Sequence, residues 1–192
     1  MLHTSRWIPR RPWAAVAALP LALVTGLAGT VARAEDSKSA IAARELAMAL
    51  DAAKLDAIAA PDPSVPGTWV AALYFKDSQF LVVSAQYAAP TLFEAKAKAQ
   101  NYRDIYIDLN SASIAGTKVF VMDQNADGLA RKPANDAADS WEEQDKTVVF
   151  DGEWRKAKMS EDDYVRIFGD ADQRYAKMLA LLTAQVKGRT GS

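Results

Sequence analysis

From Tyr164 to Val186 the residues Tyr164, Ile167, Phe168, Ala171, Tyr175, Met178, Leu182 and Val186 recur at helical spacing for about seven turns. An apolar stripe of that length has to be covered, so the rest of the chain must supply a long apolar surface to pack against it. Ser160 stands where an N-cap belongs, and Glu161-Asp162-Asp163 place acids at the positive end of the helix dipole. The polar Lys187-Gly188 tail ends the pattern.

The covering surface is predicted to be a sheet. Thr68 to Phe75 is a run of β-formers, Lys76-Asp77-Ser78 is turn material, and Gln79 to Ala85 is a second apolar run, which together read as a β-hairpin. Arg103 to Asn110 alternates apolar and polar residues, with Ile105, Ile107 and Leu109 on the inward face. Lys118 to Asp123 is a further strand built on Val119, Phe120 and Val121. Thr147 to Phe150, the tight-turn pair Asp151-Gly152 and Glu153-Trp154-Arg155 read as a second hairpin. Short turns between successive strands point to a largely antiparallel sheet.

Two shorter helices complete the expected order. Ser39 to about Lys54 is rich in Ala, Leu, Met and Glu, and its stripe Ile41, Glu45, Met48 and Ala52 is predicted to pack on the sheet. Leu55 to Ala60 either extends that helix or forms a short strand, before the breaker Pro61-Asp62-Pro63-Ser64-Val65-Pro66-Gly67. Pro90 opens a short helix running to Gln100. The stretch 123–145 is polar, with Trp141 as its only large apolar anchor, and reads as a long loop. The fold class expected is therefore α+β, with an N-terminal helix and a long C-terminal helix.

The first 34 residues carry the three parts of a secretory signal: Arg6, Arg10 and Arg11, an apolar run from Trp13 to Leu27, and Val31-Ala32-Arg33-Ala34. The run is broken by Pro20 and Gly26 and falls short of the roughly 20 residues of a bilayer span, so cleavage near Ala34 is expected. Arg10-Arg11 before an apolar segment also partly matches the twin-arginine pattern, the plainer reading being an ordinary basic n-region. Residues 35–192 would then be one globular domain in the periplasm or the medium, without a membrane span.

Removing the signal takes four arginines and no acid, leaving 19 basic against 24 acidic side chains, a net charge of −5. Nucleic acid is a poor partner for such a chain. The only histidine, His3, leaves as well, and the protein has no cysteine. A Ser-His-Asp triad, a cysteine nucleophile, ordinary zinc or copper ligation and disulfides are thereby excluded. Any catalysis would rest on carboxylates, Lys, Tyr, Ser or a cofactor, and the expected role is non-catalytic binding of a small ligand or a protein.

Asp123-Gln124-Asn125-Ala126-Asp127-Gly128 matches the first half of a calcium loop, with oxygen ligands at alternate positions and then a glycine. Asp123, Asn125 and Asp127 are the candidate calcium ligands. Position twelve is Ala134 instead of Glu, with Asp136 or Asp139 as substitutes, and the plainer reading is a polar turn bonded to its own backbone. Asp104 and Asp108 share a strand face with Tyr106, which reads as a solvated face. Glu142, Glu143 and Asp145 beside Trp141 read as a soluble acidic loop, and Trp69, Tyr74, Phe75, Phe80 and Tyr87 as core aromatics.

The order of elements from Ser39 to about Gly128, with Ser84 ending a strand before a helix that holds Lys96 and Lys98, resembles the flavin-binding split barrel of the pyridoxamine-phosphate-oxidase-like proteins. The resemblance implies a split-barrel-like scaffold, bound FMN and redox chemistry on its isoalloxazine ring. Ser84, Thr91, Lys96 and Lys98 would hold the flavin phosphate.

Overall fold

A computed structural model describes residues 37–87, 117–133, 138–144 and 146–191. Its strands β1 (Ala57–Pro61), β2 (Trp69–Phe75), β3 (Phe80–Gln86), β4 (Thr117–Gln124), β5 (Asp139–Glu143) and β6 (Lys146–Phe150) form one sheet in sequence order. Every neighbouring pair is antiparallel. Helix α1 (Lys38–Ala53) precedes the sheet and helix α2 (Glu161–Thr190) follows it. The α+β class and the two terminal helices are as the periodicities predicted.

Both helices have the local chemistry to start where they do. The Ser37 hydroxyl accepts from Ala40 N at 3.2 Å, and the Ser160 hydroxyl accepts from Asp163 N at 3.1 Å, each satisfying a donor that the first turn leaves open. Lys54 closes α1 in the left-handed region at φ 55°. Helix α2 carries Glu161, Asp162 and Asp163 in its first turn and Lys187 and Arg189 in its last, both complementary to the dipole. It runs past the expected stop at Lys187-Gly188 to Thr190, because a glycine near a helix end is tolerated when the ladder continues around it.

The alternation along each strand sends one set of side chains toward the helices. Ile58, Ala72, Val83, Val121, Trp141 and Val148 lie opposite one another across all six strands. They pack with Leu46 and Leu50 of α1 and Tyr175, Leu179 and Leu182 of α2 in one core. Each fully buried leucine of this layer is worth about 1.5–3 kcal/mol relative to exposure. Phe150 meets Tyr164 and Phe168 edge-on at 5.9 and 5.2 Å, fixing the first turns of α2 to the β6 edge. The opposite face of the sheet holds a second buried apolar set, including Ala71, Leu73, Phe80, Val82 and Phe120.

Three expectations need correction, and one open alternative is settled. The buried face of α1 is Ala40, Ala43, Leu46 and Leu50, while Ile41 and Met48 are 59% and 72% exposed; an alanine-rich helix has apolar residues all round, and its small side chains face inward where α1 lies close to its neighbours. The polar stretch 123–145 is not one loop, since Asp139–Glu143 forms β5 between β4 and β6. Asp151-Gly152 does not join two strands. Its Gly152 N–H donates to the Tyr164 hydroxyl at 3.1 Å, and residues 153–158 form turns that carry the chain toward α2. Of the two alternatives for Leu55 to Ala60 the strand is the one formed, as β1 (Ala57–Pro61), where a terminal Pro61 is tolerated. The predicted helix after Pro90 and the strand 103–110, with Asp104 and Asp108, lie outside the described residues, as do Ala134, Asp136 and Asp145.

Candidate functional site

The turn after β4 is the most polar part of the interior. Asp123 is fully buried, and its two oxygens accept three donors: Asp127 N at 3.1 Å, Gly128 N at 3.0 Å and the Tyr175 hydroxyl at 3.0 Å. Asp139 closes the same turn from β5, accepting from Gln124 N and Ala130 N at 2.9 Å each. Burial raises the Asp139 carboxyl to about 7, and burial with the nearby Asp139 charge drives Asp123 well above the usual carboxylate range. The Tyr175 phenol is raised by burial and by the same carboxylates.

A third buried carboxylate joins this turn to the helices. Asp172 of α2 accepts from Lys38 N and Ser39 N at 2.9 Å and from the Ser39 hydroxyl at 2.6 Å, capping the start of α1. Ser39 Oγ in turn accepts from Leu129 N at 2.9 Å. Gly128 sits at φ +87°, and a Cβ there would lie 2.4 Å from Ala40 N, so the turn and the α1 backbone touch directly. This is a structural knot. Its carboxylates are turned onto backbone N–H groups, as the polar-turn reading anticipated.

The calcium candidates divide within it. Asp123 points inward, whereas Asn125 and Asp127 are exposed. Among the described residues no group of three or more acidic side chains is arranged to hold a metal ion. Ser84 lies on the other face of the sheet, opposite Ala71 on one side and Phe120 on the other. It is 2% exposed and its hydroxyl has no hydrogen-bond partner among the described residues. Thr91, Lys96 and Lys98 lie outside the described residues.

An open cleft lies on the helix side of the sheet, between α2 and the β1–β2 connection. Its volume is about 430 Å³. Val70, Ala85 and Val119 make the floor, and they belong to one cross-strand row that starts at Ala60 and runs through Glu143 to Lys146. These side chains are small, and the β3–β4 register shifts between Ala85 and Gln86, a bulge at the margin of the floor. Met178 and Leu181 form the helical wall.

The two lips carry opposite charges. Arg174 and Lys177 of α2 fall at the i, i+3 spacing that puts them on one face with Met178 and Leu181. Arg174 Nη1 pairs with Glu143 Oε2 at 2.6 Å, and its guanidinium carbon stands 5.0 Å from the centre of the Trp141 ring. The hydrogen bond from Arg174 holds Glu143 below the usual carboxylate range. Lys177 has no acidic partner among the described residues. Across the cleft, Asp62 Oδ1 accepts from Ser64 N at 2.8 Å and Asp62 N donates to Thr68 O at 2.8 Å, while Pro63 and Pro66 stiffen the same lip.

Sequence reasoning passed over Asp62, Arg174 and Lys177. Asp62 looked like part of a breaker, and the two cations like the solvated side of a long helix. The only signal was their position beside Met178, just off the main apolar stripe. Comparison with known proteins returns no matching family model, no curated relative and no matching solved structure. No helix among the described residues is long and apolar enough to cross a membrane.

Proposed function

We propose that this chain is an exported, non-catalytic binding domain whose small ligand occupies the cleft between α2 and the β1–β2 connection. The observation that carries the reading is the cleft itself. At about 430 Å³ it falls within the roughly 300–1,000 Å³ of small-molecule sites, and it combines an apolar floor with a few charged groups at the rim. The buried carboxylates offer no comparable opening, because their oxygens are occupied by backbone and phenol donors. Export rests on the N-terminal signal pattern.

The test uses 8-anilinonaphthalene-1-sulfonate as a fluorescent probe for an apolar cleft with a cationic lip. The full chain, recovered from the envelope of a host that exports it, should enhance and saturate the probe's emission. Met178→Glu, on the partly buried wall, should abolish the enhancement without loss of the folded signal in circular dichroism. An unenhanced probe, or equal enhancement by the variant, would overturn the reading.

A second reading, an FMN-binding redox protein, is favoured by the buried Ser84 hydroxyl, which has no partner among the described residues, since such a group is rare without a ligand or water to satisfy it. Flavin absorption between about 300 and 500 nm in the isolated protein, released on denaturation, would make this the leading function. A colourless folded sample that takes up no added FMN would remove it.

A further inference from the structure

Building on the reading of the cleft as a binding site, we propose that its occupant is a zwitterion with an apolar body, of the size of a short apolar peptide. The four charged residues around the cleft are not equivalent. Arg174 and Glu143 neutralise each other at 2.6 Å, which leaves Lys177 and Asp62 as the charges on the two elements that bound the space with no ion-pair partner among the described residues. No ion pair joins Lys177 to Asp62.

A ligand lying on Val70, Ala85 and Val119 displaces water from both charges at once. A simple anion would gain Lys177 and bring a like charge toward Asp62; a simple cation would do the reverse. Each arrangement leaves one partly desolvated charge unpaired, which is costly. A molecule with a carboxylate at one end and an ammonium at the other answers both. Its carboxylate belongs at Lys177 and its ammonium at Asp62.

Size narrows the class. At about 30 Å³ for each water-sized group, the cleft has room for about fourteen of them, enough for a dipeptide and more than a single amino acid fills. Apart from Ser64 and the charged groups at the rim, the side chains that line it are aliphatic or thioether and not hydrogen-bonding, so the peptide's own side chains should be apolar. Asp62 is prepositioned by its bond from Ser64 N and by the flanking prolines, which reduces the ordering cost of binding.

The experiment is calorimetric titration of the exported full chain with L-leucyl-L-leucine, with its N-acetyl form and with its C-terminal amide. The free dipeptide should bind at least tenfold more tightly than either blocked form. Lys177→Gln should weaken the free dipeptide tenfold and leave the amide unchanged, and Asp62→Asn should do the same with respect to the acetylated form. An unshifted melting temperature in Lys177→Gln, whose side chain is exposed and has no ion-pair partner among the described residues, separates binding from folding. Equal binding of all three peptides, or no peptide binding by a chain that still enhances the anilinonaphthalene probe, would overturn the zwitterion and keep the cleft. Failure of both probe and peptides would overturn both.

Discussion

The hydroxyl of Tyr175, in the middle of α2, donates a 3.0 Å hydrogen bond to Asp123 Oδ2 at the end of β4, and solvent reaches neither side chain. This contact links the long helix to the turn that also receives Asp139 and, through Ser39, the start of α1. The helix is therefore held by chemistry as well as by its apolar stripe.

Tyr175→Phe removes one of three donors to a buried carboxylate while preserving shape. It should destabilise the fold by about 1–3 kcal/mol. Urea unfolding should show a lower midpoint at an unchanged slope, since the exposed area is the same. A neutral substitution would show that the contact contributes nothing. Because the Asp123 oxygens are already engaged, millimolar calcium should leave the melting temperature of the wild-type chain where it is; a rise that Asp127→Ala abolishes would establish Asp123, Asn125 and Asp127 as ligands.

Stability should fall as the solution becomes more alkaline. Burial raises Asp139 from the ordinary 3.8 to about 7, with hydrogen bonds from Ala130 N and Gln124 N opposing it and the Asp127 charge adding to it. Asp123 is raised too, by burial and then by Asp139, against the Tyr175 and Gly128 bonds. Between the unfolded and folded values the native state holds protons that the unfolded chain has lost, so the stabilisation is complete below about pH 4 and is lost as the pH passes 7. At 1.36 kcal/mol per pH unit, Asp139 alone accounts for a change on the order of 4 kcal/mol. The melting temperature should be higher at pH 5 than at pH 8, with a shallower dependence in Asp139→Asn. A flat or rising profile for the wild type would contradict this account.

Much of this architecture was legible because each rule acted on one face at a time. The α2 stripe, the Ser160 cap and the β2–β3 hairpin have a single solution in period and turn chemistry. Helix α1 does not: Ile41 and Met48 form one plausible stripe and Ala43, Leu46 and Leu50 another, and only the close backbone approach at Gly128 decides between them. Strand β5 escaped because its inward positions are Asp139, Trp141 and Glu143. Two of those three are acids, satisfied by backbone N–H groups and by Arg174, partners that lie far off in sequence. The cleft was invisible for the same reason, being made where Val70, Ala85 and Val119 meet α2 in space.

Gly128 offers a test of that close approach. Gly128→Ala combines an unfavourable positive φ with a Cβ 2.4–2.5 Å from the backbone of Ser39 and Ala40, and backbone on both sides has little freedom to yield. The loss should be about 3 kcal/mol or more. Gly67→Ala is the control, with a comparable φ of +77° and nothing within 4 Å, and should cost only the roughly 1–2 kcal/mol of the left-handed conformation. Equal losses at the two sites would mean that contact with α1 plays no part.

Ser84 gives the opposite sign. Its hydroxyl is buried between Ala71 and Phe120 with no partner among the described residues, and a buried polar group without a hydrogen bond costs about 1–3 kcal/mol. Ser84→Ala deletes that group and leaves a methyl on an apolar face, so the variant should be more stable than the wild type by about 1 kcal/mol or more, as a higher urea midpoint. If the isolated protein carries flavin and the hydroxyl serves it, the ligand stabilises only the folded state, and Ser84→Ala should then lose flavin absorbance and melt at a lower temperature. The direction of that one shift separates a hydroxyl that burdens the fold from one kept for a ligand.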